Sequence, residues 1–262
     1  MGKIYFASDL HLGSTAIEDP KITEKRFVRW LDSIKSDAEA LYLLGDIFDF
    51  WFEYKKVVPR GFTRFLGKIA EMHDNGTEIH FFIGNHDMWM FDYFPDELGV
   101  MVHHEPYSTE IKGKKFYLAH GDGLGDRSRS FRFLSAIFHN RICQSLFARI
   151  PSRIGIGFAH CWSKHNRTKD LALSLPYMGE DKEHLVLYAK DYIREHPEID
   201  FLIFGHRHIV LDFMLNRKAR MLILGDWMQF FSYAVFDGHT LLLEQYEENQ
   251  VQPKDLISKI CK

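Results

Sequence analysis

Apolar runs of strand length recur along this chain, and five of them stop abruptly on carboxylate, imidazole or amide side chains. Lys3–Ser8 gives way to Asp9-Leu10-His11, Ala40–Gly45 to Asp46-Ile47-Phe48-Asp49, and Ile79–Gly84 to Asn85-His86-Asp87. Phe116–His120 runs into Gly121-Asp122, and Phe201–Gly205 into His206-Arg207-His208. Three more runs follow: Met221–Gly225, Tyr233–Phe236 and Leu241–Tyr246. Most are nearly continuous in hydrophobicity rather than alternating, which suits strands covered on both faces. Helix-like segments lie between the early runs. Ile22–Ile34 carries Phe27, Trp30, Leu31 and Ile34 on one side, and Phe62–His73 carries Phe62, Phe65, Leu66 and Ile69. Strand and helix in alternation predict an α/β protein built in layers.

The rhythm breaks between about residues 122 and 196, where no strand pattern appears. Phe131–Ile150 reads as a helix, and Asp181–His196 as another, ended by Pro197. We expect one domain over residues 1–262, with 122–196 as a mainly helical insertion of the kind that forms a lid. Charge also sets this stretch apart. From Arg127 to Lys169 there are nine basic residues and no acidic one. The chain as a whole carries −3, so 24 basic and 36 acidic residues elsewhere leave the remainder at −12. A segment this polarised predicts an anion-binding or membrane-surface site.

Each polar cluster alone is weak; Gly84-Asn85, for example, is a common turn pair. Together they supply oxygen and imidazole donors without a thiolate, a set suited to Mn²⁺, Fe²⁺ or Zn²⁺. Asp-x-His and His-x-His place alternate residues on one side of an extended chain. All five clusters fall at the carboxyl ends of strands, where open α/β sheets gather their ligands. The three cysteines, Cys143, Cys161 and Cys261, form no CxxC pair and predict neither a disulfide framework nor a thiolate zinc site. A reducing, cytoplasmic setting follows as an expectation. The opening Met-Gly-Lys-Ile-Tyr-Phe-Ala-Ser-Asp does not read as a signal peptide. No uncharged apolar stretch approaches the roughly 20 residues of a spanning helix, so any membrane contact is expected to be peripheral.

In order, DxH, GDxxD, GNHD, HGD and GHxH resemble the calcineurin-like metallophosphoesterases, with every element present from Asp9 to His208. The resemblance implies an α/β/β/α sandwich and two divalent metal ions, Mn²⁺ foremost, with Fe²⁺ or Zn²⁺ as alternatives. Carried over, Asp9, His11, Asp46 and His208 would hold one ion, and Asp46, Asn85, His120 and His206 the other. His86 would face the substrate phosphate as a catalytic group, with Asp87 steadying it and Asp49 supporting the site from behind. Two such cations would activate water near neutral pH and neutralise a phosphoryl oxygen.

The framing of the motifs is similar to one branch of that superfamily, the UDP-2,3-diacylglucosamine hydrolases of lipid A synthesis. It rests on "SDLHLG", "LYLLGDIFDFW", "LAHGDGL", "SKHNRTKDLA" and "LGDW". That branch cleaves the pyrophosphate of an acylated nucleotide sugar, and the likeness implies substrate contacts at Asp122, Phe131, Lys164, Arg167 and Lys169. Phe131, Phe133, Leu134, Ile137, Phe138, Phe147, Ile150, Ile154 and Phe158 would offer apolar surface to acyl chains or simply pack on the core. Arginines among them suit an anionic inner-membrane surface. Basic residues interleaved with Phe and Ile fit lipid better than a nucleic-acid strand, and no obligate protein partner is indicated. One position departs from the branch, which carries GNRD where this chain has His86. A hydrolase of another phosphodiester or nucleotide-linked lipid therefore stands as the alternative, and a non-catalytic scaffold as a remote one. The aromatic run Phe48–Phe52 is read evenly as core or as pocket wall.

Overall fold

The computed structural model describes residues 2–14, 19–125, 136–138, 140–152, 154–155, 157 and 177–247. Two sheets pack face to face. The first has six strands in the order β11-β10-β1-β2-β3-β4, the second five in the order β5-β6-β7-β9-β8. In chain order they are β1 Lys3–Ala7, β2 Ala38–Leu44, β3 Glu78–Phe82, β4 Met101–His103, β5 Tyr107–Ile111 and β6 Lys114–Leu118. They continue as β7 Phe201–Phe204, β8 Val210–Met214, β9 Arg220–Leu224, β10 Ser232–Phe236 and β11 Leu241–Gln245. The central pairs β1–β2, β2–β3, β6–β7 and β7–β9 are parallel.

Why the apolar runs are continuous becomes plain from the packing. On β1 and β2, Tyr5, Ala7, Leu41 and Leu43 face the helices α1 (Pro20–Ile34) and α2 (Thr63–Asp74). Their alternates Ile4, Phe6, Tyr42 and Leu44 face the second sheet, meeting Phe116, Leu118, Ile203 and Leu222. The second sheet repeats this arrangement outward. Tyr117, Leu202, Phe204, Met221 and Ile223 pack on Leu185, Val186, Ala189 and Ile193 of a further helix, His184–Glu195. Three hydrophobic layers thus join four structural ones, the expected α/β/β/α sandwich. Helix α1 shows its origin in sequence: Asp19 caps Lys21 N at 2.9 Å, and Pro20 occupies the first turn. Its buried Phe27, Trp30, Leu31 and Ile34 contribute roughly 2 kcal/mol each through burial.

The packing also corrects the expected insertion. The helix at His184–Glu195, placed in a lid by its position after the basic segment, is instead the outer layer of the sandwich. We number it α5, after the short α3 (Tyr93–Leu98) and α4 (Arg141–Ala148). Among the described residues, α4 and its neighbours fall within the stretch expected as a helical insertion. The expected contacts Phe131, Lys164, Arg167 and Lys169, with Phe133, Leu134 and Phe158, lie outside the described residues.

Candidate metal centre

All five polar clusters meet in one place, beyond the carboxyl ends of β1, β2, β3, β6 and β7. Among the described residues, three sets of donors each have atoms within 4.8 Å of one another: Asp9–His11–His208, His11–Asp46–His86 and Asp46–His120–His206. His11 and Asp46 each belong to two of them, so the three sets run into one another. His11 Nε2 lies 3.8 Å from Asp9 Oδ1 and 3.7 Å from Asp46 Oδ2. His120 Nε2 lies 3.4 Å from both Asp46 Oδ2 and Asn85 Oδ1, and His208 Nε2 lies 3.5 Å from Asp9 Oδ1.

Backbone strain marks the same residues. Eight described non-glycine residues have positive φ, and five of them are Asp9, His11, Asp46, His206 and His208. Left-handed backbone costs about 1–3 kcal/mol per residue and tends to gather at functional sites. Close approach accounts for the glycines in these clusters. Gly45, at φ +84°, would put a Cβ 2.6 Å from His120 Nδ1, and a Cβ on Gly84 would run into the Asp46 carboxylate. Glycine admits both the fold and the approach.

Hydrogen bonds fix which imidazole nitrogen meets the centre. His120 Nδ1 lies 2.8 Å from Leu44 O, which can only accept, so Nδ1–H donates and Nε2 is the nitrogen turned toward Asp46. His208 Nδ1–H likewise donates to Asp226 Oδ2 at 3.1 Å, turning Nε2 toward Asp9. This carboxylate- or carbonyl-oriented tautomer is the one a metal requires. Burial works against ionising Asp46, but His120, His86 and His11 around it outweigh that and hold its carboxyl well below the usual range. Burial also opposes a charged His120, which Asp46, Asp9 and Asp122 nevertheless pull upward. Asp9, with no exposed surface, is pushed up by burial. Buried carboxylates and imidazoles facing one another at these distances fit divalent cations by donor type and tautomer.

Two expected roles change. Asp87 does not steady His86. Its carboxylate, fully buried, accepts from Gly84 N at 2.8 Å, Ile47 N at 2.7 Å and Phe48 N at 3.2 Å. It clamps the β2 and β3 loops together. His86 is held by a different group: its Nδ1–H donates to Asp49 O at 3.0 Å, and its backbone N to Asp46 Oδ1 at 2.8 Å. The aromatic run divides. Phe48 and Trp51 enter the core, whereas Phe50 and Phe52 turn outward to Phe147 on α4, with centroids at 6.4 and 4.8 Å. Trp89 completes this seat, 5.0 Å from Phe147, and its Nε1 donates to Phe138 O at 2.9 Å.

Some supporting residues escaped the sequence reading. Asp226, in the quoted LGDW, orients His208 and accepts from Met228, Gln229 and Phe230 N. Glu183, fully buried ahead of α5, holds Arg207 by two bonds of 2.7 and 3.0 Å, gripping the backbone between His206 and His208. Glu53 accepts from Phe91, Asp92 and Tyr93 N, fixing the chain that leaves the Asn85-His86-Asp87 turn. Asp226 had a signal, a Gly-Asp after an apolar run; the other two had none. Asp122 lies beside His120, in the wall of a pocket described below.

The chain is similar to known proteins. The calcineurin-like phosphoesterase family model matches residues 2–210. A UDP-2,3-diacylglucosamine hydrolase from Porphyromonas gingivalis is 47% identical over 257 residues, covering 94% of this chain and 98% of that one. Hydrolases of the same name from Edwardsiella ictaluri and Hahella chejuensis are 28% and 29% identical. They cover 85% and 90% of this chain, and 83% and 95% of their own. A family match over most of the chain, on a centre of the right donors and tautomers, makes this chain a member of the calcineurin-like phosphoesterases, metal-dependent hydrolases that use divalent ions.

Proposed function

We propose that this enzyme hydrolyses the pyrophosphate bond of UDP-2,3-diacylglucosamine, releasing UMP and 2,3-diacylglucosamine 1-phosphate, lipid X. The reading rests above all on the 47% identity to the Porphyromonas gingivalis hydrolase along nearly the whole of both chains. Asp9, His11, Asp46 and His208 would hold one ion, and Asp46, Asn85, His120 and His206 the other, Mn²⁺ being our choice of metal. Such ions supply an activated water and neutralise charge on the phosphoryl oxygens. The chain's own residues do the rest. Asp226 and Leu44 O keep two imidazoles in the receiving tautomer. With its Nδ1–H engaged by Asp49 O, His86 can donate from Nε2 only as an imidazolium, so it assists a leaving oxygen in that form.

The apolar side chains exposed on and near α4, including Ile142, Leu146, Ile150 and Ile154, suit acyl chains and a peripheral seat on an anionic membrane. No helix among the described residues is long and apolar enough to cross a membrane. A direct test supplies UDP-2,3-diacylglucosamine to the Mn²⁺-loaded enzyme beside bis(p-nitrophenyl) phosphate. UMP should appear from the lipid substrate at the higher kcat/KM. Turnover of the small diester without UMP release would defeat the assignment.

A further inference from the structure

Two pockets flank the turn Gly84–Asp87, and they differ in chemistry. The larger, of about 630 Å³, lies under α4 and is lined by Phe52, Ile83, Met88, Phe91, Arg141 and Ala148 among others. The smaller, of about 300 Å³, lies beside His120 and is bounded by His103, His104, Glu105, Pro106, Asp122 and Leu124. Ile83, His104 and Glu105 line both and form the wall between them. No lysine or arginine lines the smaller pocket, whereas two carboxylates do.

We propose that the smaller pocket holds the nucleoside half of the substrate, with Glu105 and His104 as its recognition groups. This rests on the hydrolase reading above. A substrate of that class has three parts in order: a neutral, hydroxyl-rich nucleoside, an anionic pyrophosphate and an apolar diacyl sugar. A pocket lined by Glu105 and Asp122 repels phosphate and also offers acceptors to ribose hydroxyls. At about 300 Å³ it matches the low end of small-ligand sites, too confined and too polar for two acyl chains. The larger pocket, roomier and overhung by α4, with Phe52, Ile83, Met88 and Phe91 as its apolar wall, takes the opposite end. Gly84 lines the first pocket and Met88 the second, so a substrate lying across both passes the metal loop at its scissile bond.

His104 and Glu105 are exposed, so their replacement should leave the fold intact. Glu105→Ala and His104→Ala are therefore compared with wild type in the full-length, Mn²⁺-loaded enzyme. UMP binding is read by calorimetry, and kcat/KM is read for UDP-2,3-diacylglucosamine and for bis(p-nitrophenyl) phosphate. Loss of one such hydrogen-bonding group corresponds to roughly tenfold. We expect UMP to bind about tenfold more weakly, and the ratio of nucleotide to diester turnover to fall by a similar factor. Glu105→Gln, which keeps an acceptor oxygen, should recover part of both. UMP affinity and a turnover ratio that stay at wild-type values in both alanine variants would overturn the pocket assignment. Wild type that releases no UMP from the lipid substrate would overturn the hydrolase reading. UMP binding that still depends on Glu105 would then uphold the pocket for another nucleotide-linked substrate.

Discussion

The two sheets contribute unequally to the metal centre. The six-stranded sheet brings the carboxylates Asp9 and Asp46 with His11 and Asn85, whereas the five-stranded sheet brings only the imidazoles His120, His206 and His208. Support differs in the same sense. On the first sheet's side, Asp87 gathers backbone amides and locks two loops into one body. On the second, the carboxylates of Asp226 and Glu183 orient side chains, His208 and Arg207. One half of the centre thus carries its carboxylates and is held through its backbone, while the other carries imidazoles and is held through its side chains. Bound cations would tie the two halves together.

Breaking the carboxylate half should have the largest effect. Asp46→Ala removes the shared donor, and activity should fall by at least roughly 10³-fold, with metal content by atomic absorption falling in parallel. Full occupancy by two ions in that variant would refute the bridging role. Asp87→Ala leaves several buried amides without acceptors and should lower unfolding free energy by about 3 kcal/mol, read from urea denaturation. A loss of activity at unchanged stability would instead return Asp87 to the chemistry.

The imidazole half should be softer. Asp226→Asn keeps shape but weakens the orientation of His208, and metal affinity should drop roughly 10–100-fold in competition titrations, with a smaller change in denaturation midpoint than Asp87→Ala produces. Equal damage to stability would erase the distinction between the halves. Stripping metal with a chelator tests the cation as tie. At a hundredfold excess over Kd each ion stabilises by about 3 kcal/mol, so the melting temperature should fall on removal and recover on re-addition.

The smallest effect concerns a joint between the sheets that needs no metal. His80 Nδ1 lies 2.9 Å from His103 Nε2, Tyr42 stacks on His80, and Tyr107 of the second sheet lies against His103. Burial pushes both imidazoles down to about 4. Because the unfolded chain binds protons first, near 6.5, this joint's stability is complete above that pH and is lost as pH falls toward 4. Denaturant midpoints of the His80→Phe variant should be flatter over that window than those of wild type.

What could be read from the sequence follows from these physical differences. Eight strands were legible, most because their residues are buried on both faces and β11 through its run Leu241–Leu243. Strands β4, β5 and β8 were not: β8 alternates exposed and half-buried residues, β5 does so up to its buried last residue, and β4 has three residues at a sheet edge. Helix α3, with Pro95 in six residues, was too short to show a period. The proposed ligands were visible because donors cluster within a few positions of each strand end. Their supports were not, since Asp87 reaches back 40 residues to Ile47, and Glu183 meets Arg207 at a separation of 24. The left-handed φ at Asp9 or His206 had no compositional mark, because neither position is glycine.

The stretch Asp46 to Phe52 serves two neighbours at once. Asp46 and Asp49 both turn toward His11, while Phe50 and Phe52, a few residues on, form the seat for Phe147 of α4. Under the proposed function, a change that reshapes the seat to admit a different acyl chain reaches, along one short backbone, the donors of the proposed metal centre. Substrate range and catalytic rate are then not separately adjustable traits here, and a lineage altering one inherits a shift in the other.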